Sequence, residues 1–255
     1  MSRAMEKYLR PGVKGTPFCP GCGHGILMNA ILRAVDELNL DMKKMLFVSG
    51  IGCAAWIPSP HFNADTLHTL HGRAIAFATG AKLFNPELTV MVVSGDGDLS
   101  SIGGNHLIHA ARRNIDLKVI CADNMIYGMT GGQAASTTPK GAKTSTTAQG
   151  NPYPPFELCR LVEAAGATYV ARYSVTQPVA LIRSIKKAIQ HVGFSFIDVL
   201  SPCPTHYGRR NLLDRPEEMI KDLMRRCLQK EEAESLSEEE RAGKIITGEF
   251  HPCLE

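Results

Sequence analysis

The feature that most constrains this chain is a repeated unit. A short apolar or β-branched run ends abruptly in a turn bearing glycine, aspartate or asparagine, and a stretch with helical spacing follows. Residues 45–48 close on Ser49-Gly50-Ile51-Gly52-Cys53, residues 88–93 on Ser94-Gly95-Asp96-Gly97-Asp98, and residues 117–122 on Asp123-Asn124. Residues 167–171 and 195–200 read as two further strands, the second running into Ser201-Pro202-Cys203. Between them, Leu27, Ile31, Ala34, Val35 and Leu38 fall on one face and predict a helix over 25–38. Helices are also expected over 73–84, stopped by Asn85-Pro86, and near 102–113, 155–165 and 177–191. Strands separated by helices need crossover connections. The expected fold is therefore α/β, a parallel sheet with helices on both faces and ligands gathered at the strands' carboxyl ends.

With 255 residues, 44% hydrophobic, the chain can fill one large core, expected over 1–212. Residues 213–255 read as an appendage. Between 216 and 240, Met219, Leu223, Arg226 and Cys227 form a stripe in charged sequence, which predicts a terminal helix followed by a poorly ordered or partner-bound end. The net charge of +3 is small and its cations are dispersed, so nucleic-acid binding is not expected. The first residues hold no apolar signal core, and no segment approaches the roughly 18 apolar residues of a membrane span. The expectation is a cytoplasmic protein without membrane contact, in which eight cysteines serve as thiolate ligands and buried thiols rather than disulfides.

Gly95-Asp96-Gly97-Asp98 ends one strand, and Asn124, 28 residues after Asp96, follows the next. Magnesium takes hard oxygens and leaves several positions to phosphate and water. Asp96 and Asn124 can supply two oxygens, and a backbone carbonyl near Ile126 a third. The glycines admit phosphate close to the backbone, and the following helix offers free amides. Taken alone, Gly-Asp-Gly is equally a tight turn.

Cys19-Pro20-Gly21-Cys22 is a C-x-x-C loop, and Cys53 and Cys203 lie in turns directly after predicted strands. Four such thiolates suit zinc or an iron–sulfur cluster, and spacing does not separate the two. Cys121 in a strand, Cys159 on a helix, Cys227 on the terminal helix and Cys253 in the tail read as buried or incidental thiols.

Gly95-Asp96-Gly97 through Asn124 resembles the diphosphate motif of thiamine-diphosphate enzymes. Residues 124–133, with Cys-Pro-x-Cys-Gly, Gly-Ile-Gly-Cys, Leu-His-Thr-x-His-Gly-Arg and Ser-Pro-Cys segments from Cys19 to Cys203, resemble more specifically the beta subunits of 2-oxoacid:ferredoxin oxidoreductases. The resemblance implies a thiamine-diphosphate-binding fold over 1–212 with a cluster-binding N-terminal loop. It implies magnesium on Asp96, Asn124 and the Ile126 carbonyl. It further implies cofactor contacts from Gly52, Cys53, Ala54, Gly95, Gly97, Asp98, Gly128, Met129 and Thr130, and a [4Fe-4S] cluster on Cys19, Cys22, Cys53 and Cys203. His71 becomes the candidate catalytic residue, with His68 a weaker one. The implied reaction is coenzyme A-dependent oxidative decarboxylation of a 2-oxoacid, with electrons leaving through the cluster to ferredoxin.

The carboxylate that activates thiamine normally comes from a second domain for which this chain has no room. By resemblance it comes from an alpha subunit, in a heterodimer or dimer of heterodimers. Some relatives carry a basic residue three positions after the third cluster cysteine. Trp56 stands there instead, and its apolar ring suits a bulky or aromatic 2-oxoacid. The competing readings are a non-redox thiamine-dependent decarboxylase or carboligase subunit with structural or zinc-bound cysteines, and a metal-binding assembly subunit with no catalytic site.

Overall fold

The apolar runs become central strands because both of their faces are covered. The computed structural model describes residues 3–213 and 215–251, so Cys253 lies outside the described residues. Its strands are β1 Met45–Ser49, β2 Asp65–His68, β3 Thr89–Gly95, β4 Lys118–Asp123, β5 Tyr169–Ser174, β6 Ser195–Leu200, β7 Cys227–Gln229 and β8 Ile245–His251. They form one sheet in the order β2-β1-β3-β4-β6-β5-β8-β7. The first six in this order run parallel, and β8 lies antiparallel to β5. Every residue of β4, β5 and β6 is buried, which explains why these segments read as continuous apolar runs rather than as alternation.

The helices divide between the faces. α1 His24–Glu37 and, later, Pro178–Gln190 cover one face, with Leu27, Ile31, Leu181 and Ile185 packed on Phe47, Met91 and Ile197. α2 Ala74–Phe84, α3 Gly104–Arg112 and α4 Leu158–Ala164 cover the other, meeting Val90, Val92, Val119 and Phe196. Successive residues of β3 therefore serve opposite cores, as the pleat requires. The helix Pro178–Gln190, α5, starts with proline in its first turn, where a missing N–H costs nothing.

The sequence after residue 213 departs from the expected single helix and loose end. α6 Pro216–Arg226 has Glu217 and Glu218 in its first turn and Arg225 and Arg226 in its last, matching the helix dipole. The chain then forms β7, the short helices α7 Lys230–Ala233 and α8 Glu238–Arg241, and β8. β8 stays in the sheet because Thr247 is buried, Phe250 packs beneath the Arg172 guanidinium and Lys187 pairs with Glu249. Among the described residues, no helix is long and apolar enough to cross a membrane.

β1 has β2 on one side and β3 on the other. Crossovers thus leave its two sides in opposite directions, which opens a crevice at the carboxyl ends, where such sheets bind ligands.

Candidate functional site

Three strand ends meet in that crevice. Ile51, Gly52, Cys53 and Ala54 follow β1. Gly95, Asp96, Gly97 and Asp98 follow β3. Asn124, Ile126, Tyr127, Gly128, Met129 and Thr130 follow β4. All of them line one cavity, together with His24 and His71.

Asp98 ties these loops together. Its buried carboxylate accepts from the Ser94 hydroxyl at 2.7 Å, the Gly72 amide at 2.7 Å and the Ile51 amide at 3.2 Å. His71 Nδ1 lies 2.5 Å from the same carboxylate, a close contact that lacks hydrogen-bond alignment. Gly50 is required beside it, since a Cβ there would fall 2.0 Å from an Asp98 oxygen.

Asp96 is buried and accepts from the Thr137 hydroxyl and, at 3.4 Å, from the Asn124 amide. Burial pushes its carboxyl up to about 7, against the pull of those two hydrogen bonds, and Asp198 pushes the same way. Burial holds Asp123 well above the carboxylate range, with Asp96 and Asp198 adding to the effect. Asp96 faces the cavity with Asn124 beside it, and a carboxylate and an amide oxygen are donors that suit a hard divalent cation whose other positions go to phosphate and water. Gly97 begins a π-helical turn, Gly97–Ile102, and Tyr127 donates to its carbonyl at 3.0 Å.

The thiols gather next door. Cys19, Cys22, Cys53 and Cys203 line a second cavity of about 250 Å³ with Phe18, Trp56, Met129, Pro204 and His206. All four are free thiols. Burial raises Cys22 to about 12, and Cys203, Cys53 and Cys19 add to the rise; burial likewise raises Cys53 to about 11, with Cys203 and Cys19 adding to it. As thiolates they need a strong local positive charge. A tetrahedral zinc site needs every sulfur about 2.3 Å from one ion. Among the described residues, no three His, Cys, Asp or Glu side chains are grouped to hold a single ion. Four thiols lining one cavity are a donor set of the kind that thiolate-bound metal centres use.

His24, Cys53, Asn124, Gly128 and Met129 line both cavities and form the partition between them. A Cβ on Gly128 would sit 3.5 Å from the Cys53 sulfur and 3.7 Å from that of Cys203. His24 and Thr137 were absent from the sequence reading. His24 was signalled by its place directly after Cys22-Gly23, whereas Thr137 lies in a long loop that carries no such cue. His68 lies outside both cavities, with its ring 6.3 Å from that of Trp56. Cys121 and Cys159 are buried in the sheet–helix core, and Cys227 opens β7 rather than lying on a helix. Burial keeps His24 neutral, lowering it to about 4.

Residues 50–199 match the family model described as thiamine pyrophosphate enzyme, C-terminal TPP binding domain. The chain is 52% identical over 244 residues to 2-oxoglutarate synthase subunit KorB of Methanocaldococcus jannaschii, covering 96% of this chain and 90% of that one. The chain belongs to the 2-oxoacid:ferredoxin oxidoreductase beta subunits. A second such beta subunit, from a Sulfolobus species, is 47% identical over 192 residues, 74% of this chain and 62% of its own. The fold agrees: 2-oxoglutarate:ferredoxin oxidoreductase from Magnetococcus marinus, solved with 2-oxoglutarate, coenzyme A and succinyl-CoA, superposes with a TM-score of 0.86 at 34% identity. That match covers 98% of this chain and 85% of the other. The non-redox carboligase and the non-catalytic assembly subunit give way to a subunit of a multi-subunit oxidoreductase with a thiamine-diphosphate domain. In this beta subunit the matched domain runs from the turn after β1 into β6, and the loops after β1, β3 and β4 that build the first cavity all fall inside it.

Proposed function

We propose that this beta subunit holds thiamine diphosphate with Mg²⁺ in the first cavity and a [4Fe-4S] cluster in the second. With an alpha subunit it carries out coenzyme A-dependent oxidative decarboxylation of 2-oxoglutarate, delivering electrons to ferredoxin in the cytoplasm. The observation that carries the reading is the shared partition: five residues separate a carboxylate-lined phosphate crevice from a ring of four thiols.

When bound, thiamine diphosphate serves as the electron sink for decarboxylation and the cluster as the adjacent one-electron acceptor. The rest is the work of this chain. Asp96, Asn124 and the Ile126 carbonyl are the oxygens for Mg²⁺, and Thr137 fixes the Asp96 carboxylate. Gly95 and the turn Gly128–Thr130 let the backbone approach the diphosphate, with Gly52 and Ala54 closing the other side. Asp98 keeps His71 turned toward the cofactor's position while the His71 Nδ1 contact leaves Nε2 for the ligand. Cys19, Cys22, Cys53 and Cys203 are the cluster thiolates, and free thiols in this number suit a reducing compartment.

Ile51, Leu70, Ile102 and Met129 are exposed apolar residues on the loops around the crevice. Such a rim suits an alpha subunit that contributes the pyrimidine-activating carboxylate and closes the pocket to water. Substrate identity is supported by the names of the relatives. Trp56, which lines the thiol cavity, favours a second reading, a bulkier aromatic 2-oxoacid.

The test is iron, acid-labile sulfide and zinc content of protein purified without oxygen, in wild type and in a Cys19→Ala, Cys203→Ala double variant. Roughly four irons and four sulfides per chain, lost in the variant, are expected. Zinc, or no metal, would overturn the electron-transfer role. A substrate panel on the complex, with 2-oxoglutarate against phenylpyruvate, decides between the two substrate readings by kcat/KM.

A further inference from the structure

Of the five partition residues, His24 is the one to which the proposed chemistry assigns nothing. Its side chain is 1% exposed. It begins α1 directly after the loop bearing Cys22, and its Nδ1 lies 2.7 Å from the hydroxyl of Ser201, two residues before Cys203. The ring thus joins the two chain segments that carry those thiols. Phe18 packs edge-on against it, centroids 5.7 Å apart. Its other nitrogen, Nε2, is buried and has no hydrogen-bond partner among the described residues. A buried polar atom left this way costs about 1–3 kcal/mol, so it is expected to be completed by whatever occupies the cavity.

The polarity of that nitrogen is tied to the direction of the Ser201 hydrogen bond. The hydroxyl is buried, and the imidazole is its hydrogen-bond partner among the described residues. A serine hydroxyl can donate to Nδ1 or accept from it, and donation to Nδ1 puts the ring proton on Nε2. In that tautomer Nε2–H is a lone buried donor on a residue that lines the cavity of the four thiols.

We propose that His24 is a positioning residue for electron transfer: its Nε2–H donates a hydrogen bond to a sulfur of the [4Fe-4S] cluster at the partition and raises the cluster's reduction potential. This rests on the cluster reading above. One-electron reduction adds negative charge that spreads onto the sulfurs, and a fixed N–H dipole stabilises the reduced form more than the oxidised one. The electron comes from the decarboxylated substrate in the neighbouring cavity and leaves to ferredoxin, and no proton is taken up at His24. The same bond draws the Cys22 and Cys203 segments toward one centre.

The test uses the anaerobically purified complex with alpha subunit, labelled with ¹⁵N-histidine and reduced with dithionite. Pulsed EPR of the reduced cluster is expected to show weak coupling to one histidine ¹⁵N and to a proton that exchanges in D₂O. Both should vanish in His24→Leu while iron and sulfide stay at wild-type content. In that variant the cluster's reduction equilibrium should fall about tenfold, about 59 mV for one electron, while His24→Gln, which keeps an amide donor, stays close to wild type. A wild-type cluster with no histidine or exchangeable-proton coupling overturns the inference, as does an unchanged midpoint in His24→Leu. If His24→Leu fails to assemble, the wild-type spectrum decides alone. Wild-type protein without iron refutes the cluster reading itself, a result separate from an iron-replete cluster lacking the coupling.

Discussion

Gly97→Ala and Gly95→Ala separate what the turn itself needs from what the ligand needs. A Cβ on Gly97 would fall 2.5, 2.7 and 2.9 Å from three carbons of the Tyr127 ring. Carbon atoms rest at about 3.5–4.0 Å, so the ring must retreat by about 1 Å. It is held on two sides, by its hydroxyl's bond to the Gly97 carbonyl at 3.0 Å and by the His71 ring, 5.8 Å away edge-on. Overpacking costs about 1–3 kcal/mol and the weakened hydrogen bond about 1 kcal/mol. The expected loss is about 2–4 kcal/mol, an apparent midpoint lower by about 4–16 °C. At Gly95 a Cβ meets nothing within 4 Å. Gly95→Ala should therefore leave the midpoint within about 0.5 kcal/mol of wild type and instead weaken thiamine diphosphate, whose oxygens need that space. Thermal denaturation reads the first effect. Titration with thiamine diphosphate and Mg²⁺, followed by fluorescence of the single tryptophan, Trp56, reads the second. Removing the ring should remove the clash, so Gly97→Ala in a Tyr127→Ala background should cost little more than Tyr127→Ala alone, a coupling of about 1–3 kcal/mol. Strict additivity of the two changes would refute the steric argument and assign Gly97 to the ligand.

Burial raises Asp96 to about 7, so below that pH the cation-free site is protonated and metal must displace a proton. Mg²⁺-dependent retention of thiamine diphosphate should strengthen as pH rises through 7 and level off above it, a dependence absent in Asp96→Asn, which should retain neither; equilibrium dialysis at stepped pH checks this. The same raised value means that, without metal, Asp96 contributes less to stability as pH rises from the normal carboxylate range through 7. Arg172 donates to Asp198 at 2.7 Å and pairs with Glu157. Arg172→Leu leaves the Asp198 carboxylate buried and unpaired and should cost about 3–5 kcal/mol in denaturant titration, with Asp198→Asn recovering part of it. Trp56→Arg places a cation in the thiol cavity and should raise the kcat/KM ratio of 2-oxoglutarate to phenylpyruvate; an unaltered ranking would remove Trp56 from substrate selection.

The parts of the fold legible in the sequence were those whose physics is local. β3 and β4 are apolar runs rich in β-branched residues because both faces are buried, and their ends are marked by residues that no strand interior favours, Gly95, Asp96 and Asn124. The C-x-x-C loop and the thiols after β1 and β6 were visible for the same reason: a cysteine beside glycine or proline at a strand end is out of place in a core. What escaped notice was set by distant partners. β2 is four residues, Asp-Thr-Leu-His, too short and polar to announce itself, and exists because β1 offers an open edge. β8 carries a left-handed glycine, Gly248, and a register shift against β5, which break its alternation. The charged stretch before it is rich in strong helix formers, and its pattern predicts one helix where the chain folds α6, β7, α7 and α8. Thr137 reaches Asp96 from 41 residues away, a contact that no spacing rule encodes.

In the proposed arrangement the separation between the two redox partners is set by the sheet rather than by loops. Cys53 follows β1, Asn124 and Gly128 follow β4, and Cys203 follows β6, while β1, β3, β4 and β6 are held in continuous parallel register. Each residue of the partition except His24 is thus within a few positions of a ladder hydrogen bond, and His24 is fixed to the loop after β6 through Ser201. Moving Cys53 or Cys203 away from the thiamine crevice would pull on loops anchored to the most buried strands. An alpha subunit seated on the apolar rim, as proposed, would bind and release without altering the proposed electron path. This division of labour predicts that interface substitutions on the rim, such as Leu70→Ser, will weaken assembly and turnover while leaving the reduced-cluster EPR spectrum of this subunit unchanged; a changed spectrum would mean that the partner, not the sheet, shapes the thiol ring.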